Sequence, residues 1–346
     1  MDTFSPVSME PPVDLRKMRV FRAEAFPASP NTPWLDRPDY EAQIQARLAN
    51  GTLTAEQAEW CRKWARDGYL IIPGMFSTDE LDGAWSEYEA RIAAGELVPL
   101  EDHAISVQNP LPGRVLNPHF KVPGFNAILR NRRAEEIVSV LLGAKALPFQ
   151  TIAGHKGSEQ LAHSDSIHMT TYPQGYLVAN WIAMQDIAPD SGPLVYYPGS
   201  HRLPYAYSRE CGITLEEGRK GYEAYHAKYE PHVEATIRDN ALDAHYFHAK
   251  KGDVLFWHAN LLHGGSRIKD PLSSRRALVC HYFAEGCLCY HDYTGSPSHL
   301  VRLPMLDAED FDAASYLSFN PDVAAAGVDA YQHYVNHGYN EGRRVR

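Results

Sequence analysis

The sequence predicts a mainly β domain with supporting α-helices and a small helical C-terminal appendage. Three observations carry that expectation. Helical patterns come first, at residues 54–92 and 133–142; short apolar runs parted by Gly, Pro, Asp and Ser follow over 146–283; an Ala-, Tyr- and Asn-rich tail begins near Leu306. Helices and then many strands, without regular β/α alternation, indicate helices laid on one sheet of a sandwich or open barrel.

Residues Met1 to about Pro38 are rich in proline and mixed charge and lack a period, which marks an N-terminal arm over 1–45. Thr54-Ala-Glu-Gln57 is a capping box, in which side chains at both ends satisfy free amides, and it predicts a helix running to Gly68. Tyr69-Leu-Ile-Ile-Pro73 reads as a buried strand. Ser77-Thr-Asp-Glu80 repeats the capping signal and opens a second helix, whose Leu81, Trp85, Tyr88 and Ile92 recur every three or four residues and so share a face. A third helix is predicted over Arg133–Leu142, stopped by Gly143. Strands are predicted at Ala146–Ala153, Ile167–Thr171, Tyr176–Asp186, Pro193–Tyr197, Ala244–His248, Asp253–Trp257 and Arg276–Phe283. Between His201 and Ala244 lies a Tyr-rich insertion that reads equally as a lid over a barrel mouth or as a surface excursion. The tail carries helical stretches at Phe311–Leu317 and Val328–Val335, with no second copy to suggest a repeat array. The expected division is an arm at 1–45, a domain at 46–305 and an appendage at 306–346.

A net charge of -10 disfavours a duplex phosphate backbone as partner, since nucleic-acid binders present basic stripes. No apolar run approaches the roughly 20 residues that span a bilayer, and no leader pattern follows Met1, so a cytoplasmic protein without membrane contact is expected. Cys61, Cys211, Cys280, Cys287 and Cys289 are odd in number and scattered, which argues for inert thiols rather than disulfides or a soft metal site.

The chemistry is carried by Leu161-Ala-His-Ser-Asp165. On an extended segment, residues two apart project to the same side, so His163 and Asp165 can share an ion. The run Gly252-Asp-Val-Leu-Phe-Trp-His-Ala-Asn-Leu-Leu-His-Gly-Gly-Ser266 then offers His263 after a buried strand, with His258 and His168 as competing histidines nearby. Two histidines and a carboxylate on one face of an ion leave the opposite face open, the arrangement of non-haem Fe(II) oxygenases. Three open positions suit a bidentate 2-oxo acid and dioxygen. A second carboxylate on that acid requires a cation, and Arg275 or Arg276 on the next strand has the forked geometry that lysine lacks.

In these blocks the chain resembles the phytanoyl-CoA dioxygenase family, over roughly Trp60 to Asp292. The likeness rests on Asp67-Gly-Tyr-Leu-Ile-Ile-Pro-Gly-Met-Phe76, His163-Ser-Asp165, Asn180-Trp-Ile-Ala-Met184, Ser191-Gly-Pro-Leu-Val-Tyr-Tyr-Pro-Gly-Ser-His201, the Gly252 run and Ser274-Arg-Arg-Ala-Leu-Val-Cys-His-Tyr282. It implies a double-stranded β-helix, a jelly-roll of the cupin kind. It further implies that His163, Asp165 and His263 hold Fe(II), that Arg275 receives the distal carboxylate of 2-oxoglutarate while Arg276 faces away, and that Trp181 lines the co-substrate pocket. Dioxygen would be the second co-substrate, and a small organic compound would be hydroxylated with release of succinate and CO2. Halogenating relatives replace the carboxylate ligand by a small residue, whereas Asp165 is kept. A serine that some relatives carry two positions past the distal histidine is Gly265 here, with Ser266 one step later, and Pro198-Gly-Ser-His201 reads as a structural turn. The tail lies outside the resemblance and is a candidate for protein or glycan contacts. Rival expectations are a zinc hydrolase on the same ligands, which leaves the arginine without a task, and a non-catalytic scaffold working through the tail.

Overall fold

Twelve strands in the computed structural model, which describes residues 4–100, 111–298 and 305–345, build three sheets. In chain order they are β1 Tyr69–Ile72, β2 Val115–Leu116, β3 Ala146–Gly154, β4 Thr170–Tyr172, β5 Leu177–Ala183, β6 Leu194–Tyr196, β7 His245–Phe247, β8 Val254–His258, β9 His263–Gly265, β10 Ala277–Ala284, β11 Leu288–His291 and β12 Ser296–Pro297. The large sheet has the order β1-β8-β5-β10-β3-β2, and the two smaller ones run β7-β6-β9 and β12-β11-β4. Every described pairing is antiparallel. This is the jelly-roll with supporting helices that the resemblance implies.

The period of two along a strand explains why the central strands read as unbroken apolar runs. One set of side chains, Val178, Ile182, Phe256, Leu278 and Tyr282, packs with Leu81, Trp85, Ile137 and Leu141 of the helices. The alternate set, Ala179, Trp181, Leu255, Trp257 and Ala277, packs with Leu194, Tyr196 and Phe247 of the opposing strands. A sheet covered on both faces has no polar side to show, and its inner face is where a site can sit out of water.

The capping box predicted at Thr54 forms in full, whereas at Ser77 only one half is made, Ser77 Oγ accepting the Glu80 amide at 3.3 Å. Thr54 and Gln57 form the reciprocal box before the helix Ala55–Asp67, and Gly68 ends it at φ 77°, the left-handed conformation that a side chain resists. A Cβ at Gly68 would also press into the His201 imidazole, because the Gly199 amide donates to the Asp67 carbonyl at 2.9 Å and docks the 198–201 turn on the helix end. That turn is structural: Ser200 Oγ donates to the Tyr197 carbonyl at 2.7 Å and accepts the Leu262 amide at 2.8 Å, one residue before His263. The second and third helices run Thr78–Ala93 and Arg132–Leu142.

Some elements depart from expectation. Helix Tyr40–Ala49 begins inside the predicted arm, and helix Pro123–Leu129 lies where no element is predicted. Pro123 starts that helix, where its missing amide is no loss, and Gly124 lets it approach Ala84 closely. The predicted strand Ile167–Thr171 is a correction: Asp165–Ile167 forms a short helical turn, since the Ser166 amide and hydroxyl both bond the Ala259 carbonyl, and the strand starts only at Thr170. The tail holds helices at Ala313–Phe319, Pro321–Ala326 and Ala330–His333, broken between the first two at Asn320-Pro321, around a core of Leu306, Tyr316, Val323 and Tyr334. Its junction with the domain, residues 299–304, lies outside the described residues. Among the described residues no helix is long and apolar enough to cross a membrane.

Candidate metal centre

The sequence places His163 and His263 a hundred residues apart, and a single antiparallel bridge brings them face to face. The His163 amide donates to the His263 carbonyl and the His263 amide to the His163 carbonyl, each at 2.9 Å. Ser164 remains extended at φ -106° and ψ 147°, so Asp165 swings to the same side before the chain turns. The result is three ligand atoms, one each from His163, Asp165 and His263, within 4.8 Å of one another and all buried. His163 Nε2 and His263 Nε2 lie 4.0 and 3.7 Å from Asp165 Oδ1.

Both imidazoles are oriented alike. Nδ1 of His163 lies 2.9 Å from the Leu161 carbonyl, and Nδ1 of His263 lies 2.9 Å from the Leu261 carbonyl. A carbonyl only accepts, so Nδ1 carries the proton on each ring and the Nε2 lone pair points at the shared centre. Burial, reinforced by His263, pulls His163 down to about 4, which keeps it neutral and able to ligate at neutral pH. For Asp165, burial raises the carboxyl, but His263, His281 and His163 outweigh it and hold the group ionised. Two imidazole nitrogens and one carboxylate suit an intermediate divalent metal such as Fe(II). Burial raises the thiols of Cys61 and Cys289 to about 12, so they take no part.

Two residues that the sequence reading passed over complete the centre. Trp257 Nε1 donates to Asp165 Oδ2 at 2.8 Å and thereby turns Oδ1 toward the histidines, while its ring lies 4.6 Å from that of His263. His281 Nε2 lies 3.7 Å from the same Oδ2. Their signal was present as parity: Trp257 shares a strand face with Leu255, and His281 lies an even number of positions past Arg275. The rejected histidine, His258, points outward and meets Asp36 Oδ2 at 3.2 Å. Removing the indole donor frees the carboxylate to rotate. Trp257→Phe is therefore expected to weaken Fe(II) or Co(II) binding by roughly 10–100-fold, measured by metal titration, with the ligands intact.

Arg275 is buried at 7% exposure, with its guanidinium 5.6 Å from the Trp181 ring. One of its nitrogens, Nη1, donates to the Gly192 carbonyl at 2.8 Å, while Nε has no partner among the described residues. Burial, with Arg114 adding repulsion, lowers it to about 10, and no acidic residue contributes to that shift. A guanidinium kept in the interior without a carboxylate is shaped to receive one. Arg276 faces the other way and pairs with Glu89 at 3.1 Å, as the strand alternation predicts. Ser266 Oγ donates to the Pro193 carbonyl at 2.7 Å and is thereby committed to the main chain.

The comparisons with known proteins agree with this geometry. The family model described as phytanoyl-CoA dioxygenase (PhyH) matches residues 64–277. Peroxisomal phytanoyl-CoA dioxygenase of Mus musculus is 27% identical over 75% of this chain and 77% of its own, and ectoine dioxygenase of Bordetella parapertussis is 24% identical over 74% and 87%. The epimerase SnoN, solved with Fe3+, alpha ketoglutarate and nogalamycin RO, shares the fold at TM-score 0.55, with 18% identity over 73% of this chain and 91% of that one. EctD from S. alaskensis, solved with 2-oxoglutarate and 5-hydroxyectoine, does so at TM-score 0.50, with 18% identity over 82% and 87%. With a matched region longer than half of its length and His163, Asp165 and His263 gathered at one buried point, the chain belongs to the phytanoyl-CoA dioxygenase family of Fe(II)- and 2-oxoglutarate-dependent oxygenases.

Proposed function

We propose that the protein hydroxylates a small organic substrate, and that His163, Asp165 and His263 hold Fe(II) while Arg275 anchors 2-oxoglutarate against Trp181. One observation carries this reading: a buried His-Asp-His set, bonded through Asp165 to Trp257, and a buried arginine beside Trp181 both lie against the large-sheet face that carries those two tryptophans. When bound, Fe(II) with 2-oxoglutarate and dioxygen supplies the oxidising power for C–H hydroxylation, with succinate and CO2 as co-products. The chain's own task is placement. The paired Nδ1–carbonyl bonds aim both imidazoles, Trp257 aims the carboxylate, and Arg275 sets the position of a 2-oxo acid by a fork on its far end. The apolar walls keep water out, which strengthens each of these contacts. We place this chemistry in residues 46–305, with 1–45 as an arm and 306–346 as a helical appendage available for partner contacts.

The test is direct. Anaerobic protein given Fe(II) and 2-oxoglutarate is expected to develop a weak visible charge-transfer band, and air then yields succinate, faster with a true substrate in a metabolite screen. Absence of both band and succinate would leave a non-catalytic scaffold as the better reading; turnover with zinc and without 2-oxoglutarate would favour a hydrolase.

A further inference from the structure

The Tyr-rich insertion is tied to the metal-binding segment. Tyr229 Oη accepts the amide of Ser164, the residue between His163 and Asp165, at 3.0 Å, and its ring is fully buried. Tyr225 stacks on Tyr229 with centroids 4.7 Å apart, one ring further from that segment, and is 3% exposed. The two sit on one turn of π-helix, Tyr225–Tyr229, a geometry that recurs at functional sites.

What distinguishes Tyr225 is its hydroxyl. It is buried and has no partner among the described residues, although Asp165 lies within electrostatic reach. Facing it at 5.1 Å between centroids is His168, three residues past Asp165, whose Nδ1 is also buried and without a partner among the described residues. Proteins seldom leave buried polar atoms unbonded, and two on adjoining rings beside a metal centre mark a place where something else bonds them. We infer that Tyr225 and His168 form the substrate-binding wall of the site, and that they take a hydroxyl or amine group, not a carboxylate or phosphate, on an otherwise apolar substrate.

The surroundings set that class, given the oxygenase reading above. Tyr222, Tyr293 and His291 ring His168 and make the wall aromatic. Burial holds the Tyr225 phenol protonated, so it can donate a hydrogen bond and carries no charge. Charges acting on Tyr225 come from the carboxylates of Glu230 and Asp165, and Glu230 is paired with His226 at 3.0 Å. An anion against Tyr225 would meet those carboxylates, since the cations of this region, Arg114 and Arg22, act on Tyr222 and Tyr293 and not on His168, whereas a hydroxyl or amine can both give and take hydrogen bonds with a phenol and an imidazole.

Matched probes decide the matter, with binding read by intrinsic fluorescence: benzyl alcohol, benzylamine and benzoate. Wild type is expected to bind the alcohol and the amine at least about 10-fold more tightly than benzoate, and Tyr225→Phe to lose about 10-fold for the first two, the worth of one hydrogen bond to a buried group. Without ligand, Tyr225→Phe should unfold at no lower urea concentration than wild type, since nothing bonded is removed, whereas Tyr229→Phe should unfold earlier. The inference is overturned if benzoate binds as well as the others, if no probe binds wild type, if Tyr225→Phe keeps its affinities, or if it is destabilised like Tyr229→Phe. The Fe(II)–2-oxoglutarate band, recorded in parallel, judges the oxygenase reading separately from this comparison.

Discussion

Asp165→Ala is expected to abolish Fe(II) binding and succinate formation while making the metal-free protein only modestly less stable than the metal-free wild type. The carboxylate supplies the site's formal negative charge and its third donor, so its loss exceeds the roughly 10–100-fold that loosening a supporting residue costs. Stability moves differently. In the metal-free chain Asp165 is ionised and 5% exposed, held by the Trp257 indole and neighbouring imidazoles. Those neighbours outweigh the cost of burying the carboxylate, so alanine forfeits their net stabilisation and leaves the Trp257 donor unpaired at roughly 1–3 kcal/mol. Urea unfolding with and without metal separates the effects. Wild type should gain about 2.7 kcal/mol at a free metal concentration one hundred times its Kd, and Asp165→Ala should gain nothing. A variant that still responds to Fe(II), with affinity near that of wild type, would show that the metal is held elsewhere.

The sequence exposed the parts of the site that depend on local patterns. Spacing placed His163 and Asp165 on one side because the residue between them is extended, and it singled out His263 after an apolar strand. What spacing does not encode is the partner across a sheet. The bridge between His163 and His263 is a non-local pairing, and Trp257 reaches Asp165 from a strand ninety-two residues away, so neither is written in any window of the chain. Parity offered a partial remedy. Phe256-Trp257-His258 reads as uniformly aromatic because the large sheet is covered on both faces, yet alternation from Leu255 points Trp257 inward and His258 outward.

Local signals also explain the gains and misses in the fold. The capping box at Thr54 is made of side-chain to backbone bonds, and the stop at Gly68 of its amide bonding the Trp64 carbonyl, each within four residues, so both are visible before any tertiary contact forms. Helix Pro123–Leu129 is short and opens with Pro-Gly; its existence rests on close packing against Ala84 and on the Gly124 amide donating to Glu87 Oε2 at 2.9 Å. The 165–167 turn is likewise fixed from outside, by the Ala259 carbonyl. Where a distant group sets the backbone, propensity alone points to the wrong element. The insertion is the clearest case: its tyrosines read as either lid or excursion, and Tyr229 meeting the Ser164 amide decides that its inner face is part of the interior.

Arg275→Leu is expected to raise the KM for 2-oxoglutarate by about 10–100-fold, the worth of one charge-assisted pair, with metal affinity unchanged. Arg275→Lys should recover only part of the loss, because an ammonium cannot reproduce the fork. The folded chain without co-substrate supplies the contrasting measurement. An arginine in a structural ion pair costs about 3–5 kcal/mol when removed, since its partner is left charged and buried. Arg275 has no such partner among the described residues, and its one modest tie is the Gly192 carbonyl. Leucine at this position therefore relieves the desolvation of a buried cation at the expense of a single hydrogen bond, and the urea midpoint should not fall. Arg276→Leu is the control: its guanidinium lies on the opposite strand face, against Glu89 and Trp85, and the KM should stay at the wild-type value. The reverse pattern, with Arg276→Leu raising the KM and Arg275→Leu leaving it alone, would assign the anchor to the wrong side of the sheet and remove the reason for placing the co-substrate beside Trp181.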